Sequence, residues 1–148
     1  METVKDILSH KGTDVWAVNP DTKVRDALKL MKEKNIGALL VVDKNEELQG
    51  IFSERDYARK TDTYHAEGSC PADENVDALM TKSVVYIKDN QTVDQCMAIM
   101  TDKRLRHLPV LHEDKIGGLI SIGDVVKAVI HEKDFIIDQM EHYIWDNS

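Results

Sequence analysis

Cysteine is almost missing from this chain. Cys70 and Cys96 form no C-x-x-C pair, which excludes a disulfide scaffold and a thiol-ligated zinc site. A reducing, cytoplasmic setting is therefore the expected one. Cys96 sits in an apolar helical stripe and reads as a core thiol. Cys70 precedes Pro71 in a turn-rich stretch and reads as exposed. Aromatics are scarce at 5%, so the core must come from Val, Ile, Leu, Ala and Met. No apolar run approaches the ~20 residues of a membrane helix. Met1 to Gly12 lacks the apolar centre of a signal peptide. Positive charge is short as well: 19 Lys and Arg face 27 Asp and Glu, a net charge of −8. That balance disfavours nucleic acid and anionic membranes as partners, while leaving room for a local basic pocket. Enzyme signatures are missing too. There is no G-x-S-x-G, P-loop or H-E-x-x-H. His10, His65, His112, His131 and His142 lie in polar contexts, and no nucleophile has an evident base. Neither catalysis nor a metal site is expected.

What the chain does have is an internal repeat. Its 148 residues, 42% hydrophobic and 31% charged, suit one compact domain or two very small motifs sharing a core. Val18-Asn19-Pro20-Asp21-Thr22-Lys23-Val24 matches Ile87-Lys88-Asp89-Asn90-Gln91-Thr92-Val93. Each leads into a stripe spaced i, i+3, i+4, i+7: Val24, Ala27, Leu28, Met31 and Val93, Cys96, Met97, Met100. This spacing predicts helices with one buried face. Asn35 to Val42 and Arg104 to Leu111 then read as strands. Polar hairpins follow at Asp43–Gln49 and His112–Gly117. Second strands begin at Gly50 and Gly118 and run into Ser53-Glu54-Arg55-Asp56 and Ser121-Ile122-Gly123-Asp124, with helices from Tyr57 and Val125 onward. The offset between copies is 69 residues at first and 68 after the hairpin, so one loop residue explains the slip.

Short strands are expected before each first helix, at Val15–Val18 and Val84–Ile87. A small pattern also recurs at Val4–Leu8 and Val76–Met80. Thr61 to Asn75, with Gly68, Ser69 and Pro71, reads as a surface loop. The expected fold is α+β with an α/β-like order: two βαββα repeats packed with pseudo-twofold symmetry. The division that follows is residues 1–66 for the first motif with its N-terminal segment, 67–75 for a linker, 76–133 for the second motif, and 134–148 for a C-terminal helix.

Chemistry centres on the repeated Gly-x-x-Ser-x-x-Asp. Ser53 or Ser121 at a helix N-cap, with Asp56 or Asp124 three residues on, makes a capping box. The same junction offers free N–H groups and a positive dipole end to a phosphate, and a short carboxylate to a ribose diol. The two readings are compatible. Basic residues cluster at Lys103-Arg104-Leu105-Arg106-His107, and Arg55 lies inside the first Ser-x-x-Asp. Lys103 and Arg104 read as complements to a helix C-terminus. Arg106 and His107 open a buried strand, where charge needs a functional reason, and alternation points them to opposite faces.

With these features the chain resembles the tandem cystathionine-β-synthase (CBS) domain pair, the Bateman module. The resemblance rests most on Gly50-Ile51-Phe52-Ser53-Glu54-Arg55-Asp56-Tyr57-Ala58-Arg59-Lys60, on Arg104-Leu105-Arg106-His107-Leu108-Pro109-Val110, and on Gly118-Leu119-Ile120-Ser121-Ile122-Gly123-Asp124-Val125-Val126. It looks like the stand-alone pairs of bacteria and plant organelles. The resemblance implies an adenine nucleotide bound between the copies as ligand: AMP or NAD(H), with ADP and ATP also open. Ser53 with Asp56, and Ser121 with Asp124, would contact phosphate and ribose. The base would lie against Asp14, Val15, Trp16, Ile36, Gly37 and Ala38 in one site. In the other it would lie against Ser83, Val84, Val85, Leu105 and Arg106. Arg55, Arg106 and His107 would face phosphates. The copies differ at Arg55 against Gly123, and at Ala38-Leu39-Leu40 against His107-Leu108-Pro109. In such proteins ligand occupancy is expected to signal to a regulated protein partner. Phe135, Ile136, Ile137, Met140, Tyr143 and Ile144 follow helical spacing, and the resemblance implies that such a helix joins two copies as a homodimer. The alternative is a structural, protein-interaction module without ligand, in which both Ser-x-x-Asp elements serve only as caps.

Overall fold

The computed structural model describes residues 2–146. Thirteen segments follow one another: α1 (Val4–Lys11), β1 (Ala17–Val18), α2 (Val24–Lys34), β2 (Ala38–Val42), β3 (Leu48–Ser53), α3 (Glu54–Ala66), a 3-10 turn (Pro71–Asp73), α4 (Val76–Leu79), β4 (Ile87–Lys88), α5 (Val93–Lys103), β5 (His107–His112), β6 (Lys115–Ser121) and α6 (Ile122–Asp146). The strands form two three-stranded sheets, ordered β1-β2-β3 and β4-β5-β6. In each, the short first strand runs parallel to the central strand, which pairs antiparallel with the third. Among the described residues no helix is long and apolar enough to cross a membrane.

The chain packs as two compact units: Val15–Val84, and the residues up to Asp14 together with those from Val85 on. Division by packing and division by repeat are therefore not the same. Each unit takes the small helix that precedes the other copy in sequence. In the unit Val15–Val84, α4 is tied to the turn before α2: Val76 N–H donates to Thr22 O at 2.8 Å and Val24 N–H to Glu74 O at 2.8 Å. In the other unit α1 repeats these bonds, with Val4 N–H on Gln91 O at 2.9 Å and Val93 N–H on Glu2 O at 3.0 Å.

The two cores correspond. One gathers Val24, Ala27, Met31, Leu39, Val41, Phe52, Val76 and Leu79. The other gathers Val4, Ile7, Leu8, Ile87, Val93, Cys96, Met100, Leu108, Val110 and Ile120. Each fully buried aliphatic side chain contributes roughly 1.5–3 kcal/mol. Cys96 is buried, which pushes its thiol pKa up to about 11, while Cys70 is exposed. Asn35 and Arg104 end α2 and α5 in the left-handed conformation, with φ of 54° and 55°. Lys103 stands in the last turn of α5, as a complement to its dipole should.

Several boundaries differ from the sequence reading: the first strands shrink to Ala17–Val18 and Ile87–Lys88, the central strands start only at Ala38 and His107, and α3 and α6 start already at Glu54 and Ile122. Thr61–Asn75 is not one loop, because α3 runs on to Ala66. No breaker precedes Gly68, and Tyr64 packs against the core. The third strand of each sheet starts before its glycine, at Leu48 and Lys115. In the second hairpin Glu113 and Asp114 both take positive φ and close it in two residues. The tail is no separate helix: from Val125 to Asp146 there is neither Gly nor Pro, and α6 continues unbroken. Met1, Asn147 and Ser148 lie outside the described residues.

Candidate functional site

In both units the Ser-x-x-Asp element forms where the third strand becomes a helix. Ser53 is extended, at φ −124° and ψ 162°, and caps α3. Its N–H and hydroxyl donate to Asp56 Oδ2 at 2.9 and 3.0 Å, and Asp56 N–H donates back to Ser53 Oγ at 3.2 Å. Ser121 and Asp124 repeat the arrangement at 2.7, 3.0 and 3.2 Å. The carboxylates are half-buried and held in fixed orientation. One oxygen of each is spent on the cap.

The glycine three residues earlier permits the close approach of a small helix. A Cβ at Gly50 would lie 2.6 Å from Thr81 O and 2.8 Å from Met80 Sδ. One at Gly118 would lie 2.7 Å from Leu8 Cδ2. That approach brings a further partner to each Asp, and here the copies part. Thr81 Oγ1 donates to Asp56 Oδ1 at 3.2 Å. Asp124 Oδ2 instead receives Lys11 Nζ at 2.6 Å, and the same ammonium donates to Leu119 O at 2.6 Å. Burial alone would raise the Asp124 pKa. The hydrogen bonds from Lys11 and Ser121, with the Lys11 charge, outweigh it and hold the group below the ordinary 3.8.

The segments expected to hold a base are bonded to the clamp of the same unit. Ala38 pairs with Ser53, and Glu54 N–H donates to Gly37 O at 3.1 Å. His107 pairs with Ser121, and Ile122 N–H donates to Arg106 O at 2.8 Å. Trp16 joins this group through its carbonyl, which accepts from Leu40 N–H at 3.1 Å. Its indole is partly exposed and carries Lys34 Nζ 4.3 Å from the ring centroid.

The structure thus gathers Val15, Trp16, Ile36, Gly37, Ala38, Ser53, Arg55 and Asp56 in one unit, along with Ser83 and Val84. Val85, Leu105, Arg106, His107, Pro109, Ser121, Gly123, Asp124 and Asp14 fall in the other. Arg55, Arg106 and Gly123 are exposed and His107 is half-buried. Arg106 precedes β5 and His107 opens it, so only the histidine belongs to the strand. Pro109 is buried in mid-strand. Lys11 and Thr81 escaped the sequence reading. The signal was there: aligning Val4 with Val76 sets Ser9 against Thr81 and Lys11 against Ser83, a divergence beside otherwise matched clamps.

Comparison with known proteins agrees with this duplicated architecture. A family model described as the CBS domain matches twice, at residues 4–61 and 76–131. The chain is 36% identical over 151 residues to the mitochondrial CBS domain-containing protein CBSX3 of Arabidopsis thaliana, covering 96% of this chain and 71% of that protein. The solved CBS-domain containing protein ATU1752 from Agrobacterium tumefaciens is 42% identical, over 85% of this chain and 92% of its own, with a TM-score of 0.80. CBSX2, solved in complex with AMP, is 28% identical, over 90% of this chain and 99% of its own, with a TM-score of 0.68. Two matched motifs, each with its own sheet and its own Ser-x-x-Asp clamp, make this chain a member of the CBS domain family, carrying the domain as a tandem pair.

Proposed function

We propose that the chain is a non-enzymatic sensor that binds an adenine nucleotide, AMP or NAD(H) first, and passes its occupancy to a protein partner. The observation that carries this reading is the preserved pair of oriented carboxylates, Asp56 and Asp124, each fixed by its own serine at a helix N-terminus. Such a carboxylate accepts from vicinal ribose hydroxyls. AMP in the CBSX2 complex supports the choice of ligand class. Trp16, aromatic and half open, offers a face to a base, with Lys34 to be displaced from it. Ligand must bind two shapes of the protein unequally for the signal to exist.

Calorimetric titration with AMP, ATP and NADH tests the reading. Saturable binding to one of them, weakened by Asp56→Asn or Asp124→Asn, supports it. No binding by the wild type to any of them removes it.

A second reading draws on the completeness of the two capping boxes: a protein-interaction module without ligand. Under it, nucleotide leaves the melting temperature unchanged, while each Asp substitution lowers it.

The partner surface belongs to α6. Ile130, Ile137 and Ile144, with Phe135 and Met140, are half or more exposed, an apolar run of the kind that marks association. We assign it to a homodimer. Light scattering should give twice the chain mass for the wild type, and the single-chain mass after Ile137→Asp with Met140→Glu.

A further inference from the structure

Past Glu132, α6 leaves its own unit: every residue from Lys133 to Asp146 is exposed. That is roughly 20 Å of helix without packing of its own, a length that is marginal in water when unsupported. Its composition is not that of a solvated tail. Val126, Ile130, Lys133, Ile137, Met140 and Ile144 are spaced 4, 3, 4, 3 and 4 apart, and all but the lysine are apolar. This alternation is the seam of a coiled coil. It occupies a different face from Val125 and Ala128, which α6 buries in its own core.

The first copy has no such seam. The positions of α3 that match Ile122, Val126, Ile130 and Lys133 hold Glu54, Ala58, Asp62 and His65, all exposed. The apolar face therefore belongs to the second copy and not to the repeated unit.

Charge along the seam points to its occupant. Lys127, Asp134 and Glu141, seven residues apart, flank one side, and Val129, Ile136 and Tyr143 flank the other. Among the described residues Lys127, Lys133, Asp134 and Glu141 have no ion-pair partner. A second α6 laid antiparallel sets Val126 against Ile144, Ile130 against Met140 and Lys133 against Ile137, each in both directions. The same placement sets Lys127 against Glu141 of the second copy, twice by symmetry, and brings two Lys133 and two Asp134 together at the centre. A parallel pair would instead put Lys133 on Lys133 inside the seam and face Lys127 and Glu141 with the apolar flank. Such self-complementarity about one point is what a twofold pair of identical helices requires, and a foreign helix has no reason to match it.

We infer that α6 of the second copy pairs antiparallel with α6 of another copy of this chain, and that Lys127, Lys133 and Glu141 set that direction. This rests on the homodimer reading and adds its geometry. The lysine in the seam weakens the pair but excludes the parallel arrangement.

The test uses the full chain with Cys70→Ser, which leaves only the buried Cys96. Light scattering of this chain reads the dimer itself. Ile130→Cys and Met140→Cys are then oxidised separately, and as an equal mixture whose chains have exchanged in reductant. Each alone should give little disulfide dimer, because its twin lies about 15 Å away along the helix, beyond bridging reach. The mixture should cross-link. Self-cross-linking of either variant means a parallel pair and overturns the inference, with the dimer standing. A dimer that cross-links in no combination has its interface elsewhere and overturns the inference too. A single-chain mass removes the homodimer reading and this inference with it. Charge reversal leaves the seam intact: Lys127→Glu and Glu141→Lys should each raise the dimer dissociation constant roughly tenfold, as two exposed pairs turned repulsive do. The double variant should return it to the wild-type value. Lys127 and Glu141 of one chain stand about 21 Å apart along α6, so that rescue passes through the second copy. Losses that add in the double variant would overturn the pairing.

Discussion

In the first copy Asp56 receives a hydroxyl, from Thr81; in the second, Asp124 receives an ammonium, from Lys11. The serine cap, the helix start and the register to the central strand are alike, although Arg55 and Ala38 in the first copy stand where the second has Gly123 and His107. The difference comes from the small helices, which cross over between the copies and pack on the partner sheet's glycine strand. Divergence between the copies has thus entered through the segment that docks against the clamp as well as at Arg55 and Gly123 within it, while the capping serine and aspartate are the same. A neutral hydroxyl leaves Asp56 with its full charge. An ammonium offsets the charge of Asp124.

The docking of those helices is where the copies should break most differently. Gly50→Ala drives a Cβ against Thr81 O. That carbonyl cannot swing away, because it accepts the Ile51 N–H at 3.0 Å while Thr81 N–H donates to Ile51 O at 2.8 Å. Gly118→Ala meets the methyl end of Leu8, which can change rotamer. Equilibrium urea unfolding should show a loss of about 2–3 kcal/mol for Gly50→Ala and about 1 kcal/mol for Gly118→Ala, within the range for overpacking. The reverse order would mean that α1, not α4, is the more rigidly held.

Asp-to-Asn substitutions come next in size. Asp124→Asn strands the Lys11 ammonium, in a pair whose side chains are 35% and 17% exposed for Lys11 and Asp124. With solvent screening taken into account, the loss is about 1 kcal/mol. Asp56→Asn keeps its cap acceptor and meets only a hydroxyl, so its cost should be under about 0.5 kcal/mol. Acid should erase the larger effect. The native pKa of Asp124 lies below its ordinary value of 3.8. Its stabilisation is therefore complete above that value and is lost as pH falls through the native pKa. The gap between wild type and Asp124→Asn, followed by chemical denaturation at stepped pH, should hold steady to about pH 5 and close below it.

Much of this was legible in sequence. The stripes Val24-Ala27-Met31 and Val93-Cys96-Met100 gave both central helices, and the all-apolar Ala38–Val41 gave a central strand. The serine–aspartate spacing gave both caps. The crossover of α1 and α4 was not legible, because Val4–Leu8 and Val76–Met80 carry the same local pattern. Each is an apolar face that fits either sheet, and pattern does not name the sheet. Lys11 stands out in the sequence only as a divergence from Ser83, and its partner, 113 residues away, is not named by it. Thr61–Ala66 misled because its polar composition resembles a loop, while Tyr64 alone supplies the anchor that continues α3.

Proline 109 offers the finest test of the comparison. Its counterpart Leu40 donates its N–H to Trp16 O, and β1 pairs from Ala17, opposite Leu40. Pro109 has no N–H to give. In the second sheet the parallel pairing starts one position later, with Ile87 opposite Val110. Tyr86, opposite the proline, stays outside the ladder, next to Ser83–Val85, the stretch expected to hold a base. Pro109→Ala restores the donor without added bulk. Stability should move by less than about 1 kcal/mol in either direction, since a net hydrogen bond is offset by backbone entropy. The signal lies in hydrogen exchange: the new amide at 109 should be protected nearly as well as that of Leu40. An amide at 109 that exchanges like an open loop would show that the shorter ladder has another cause than the proline.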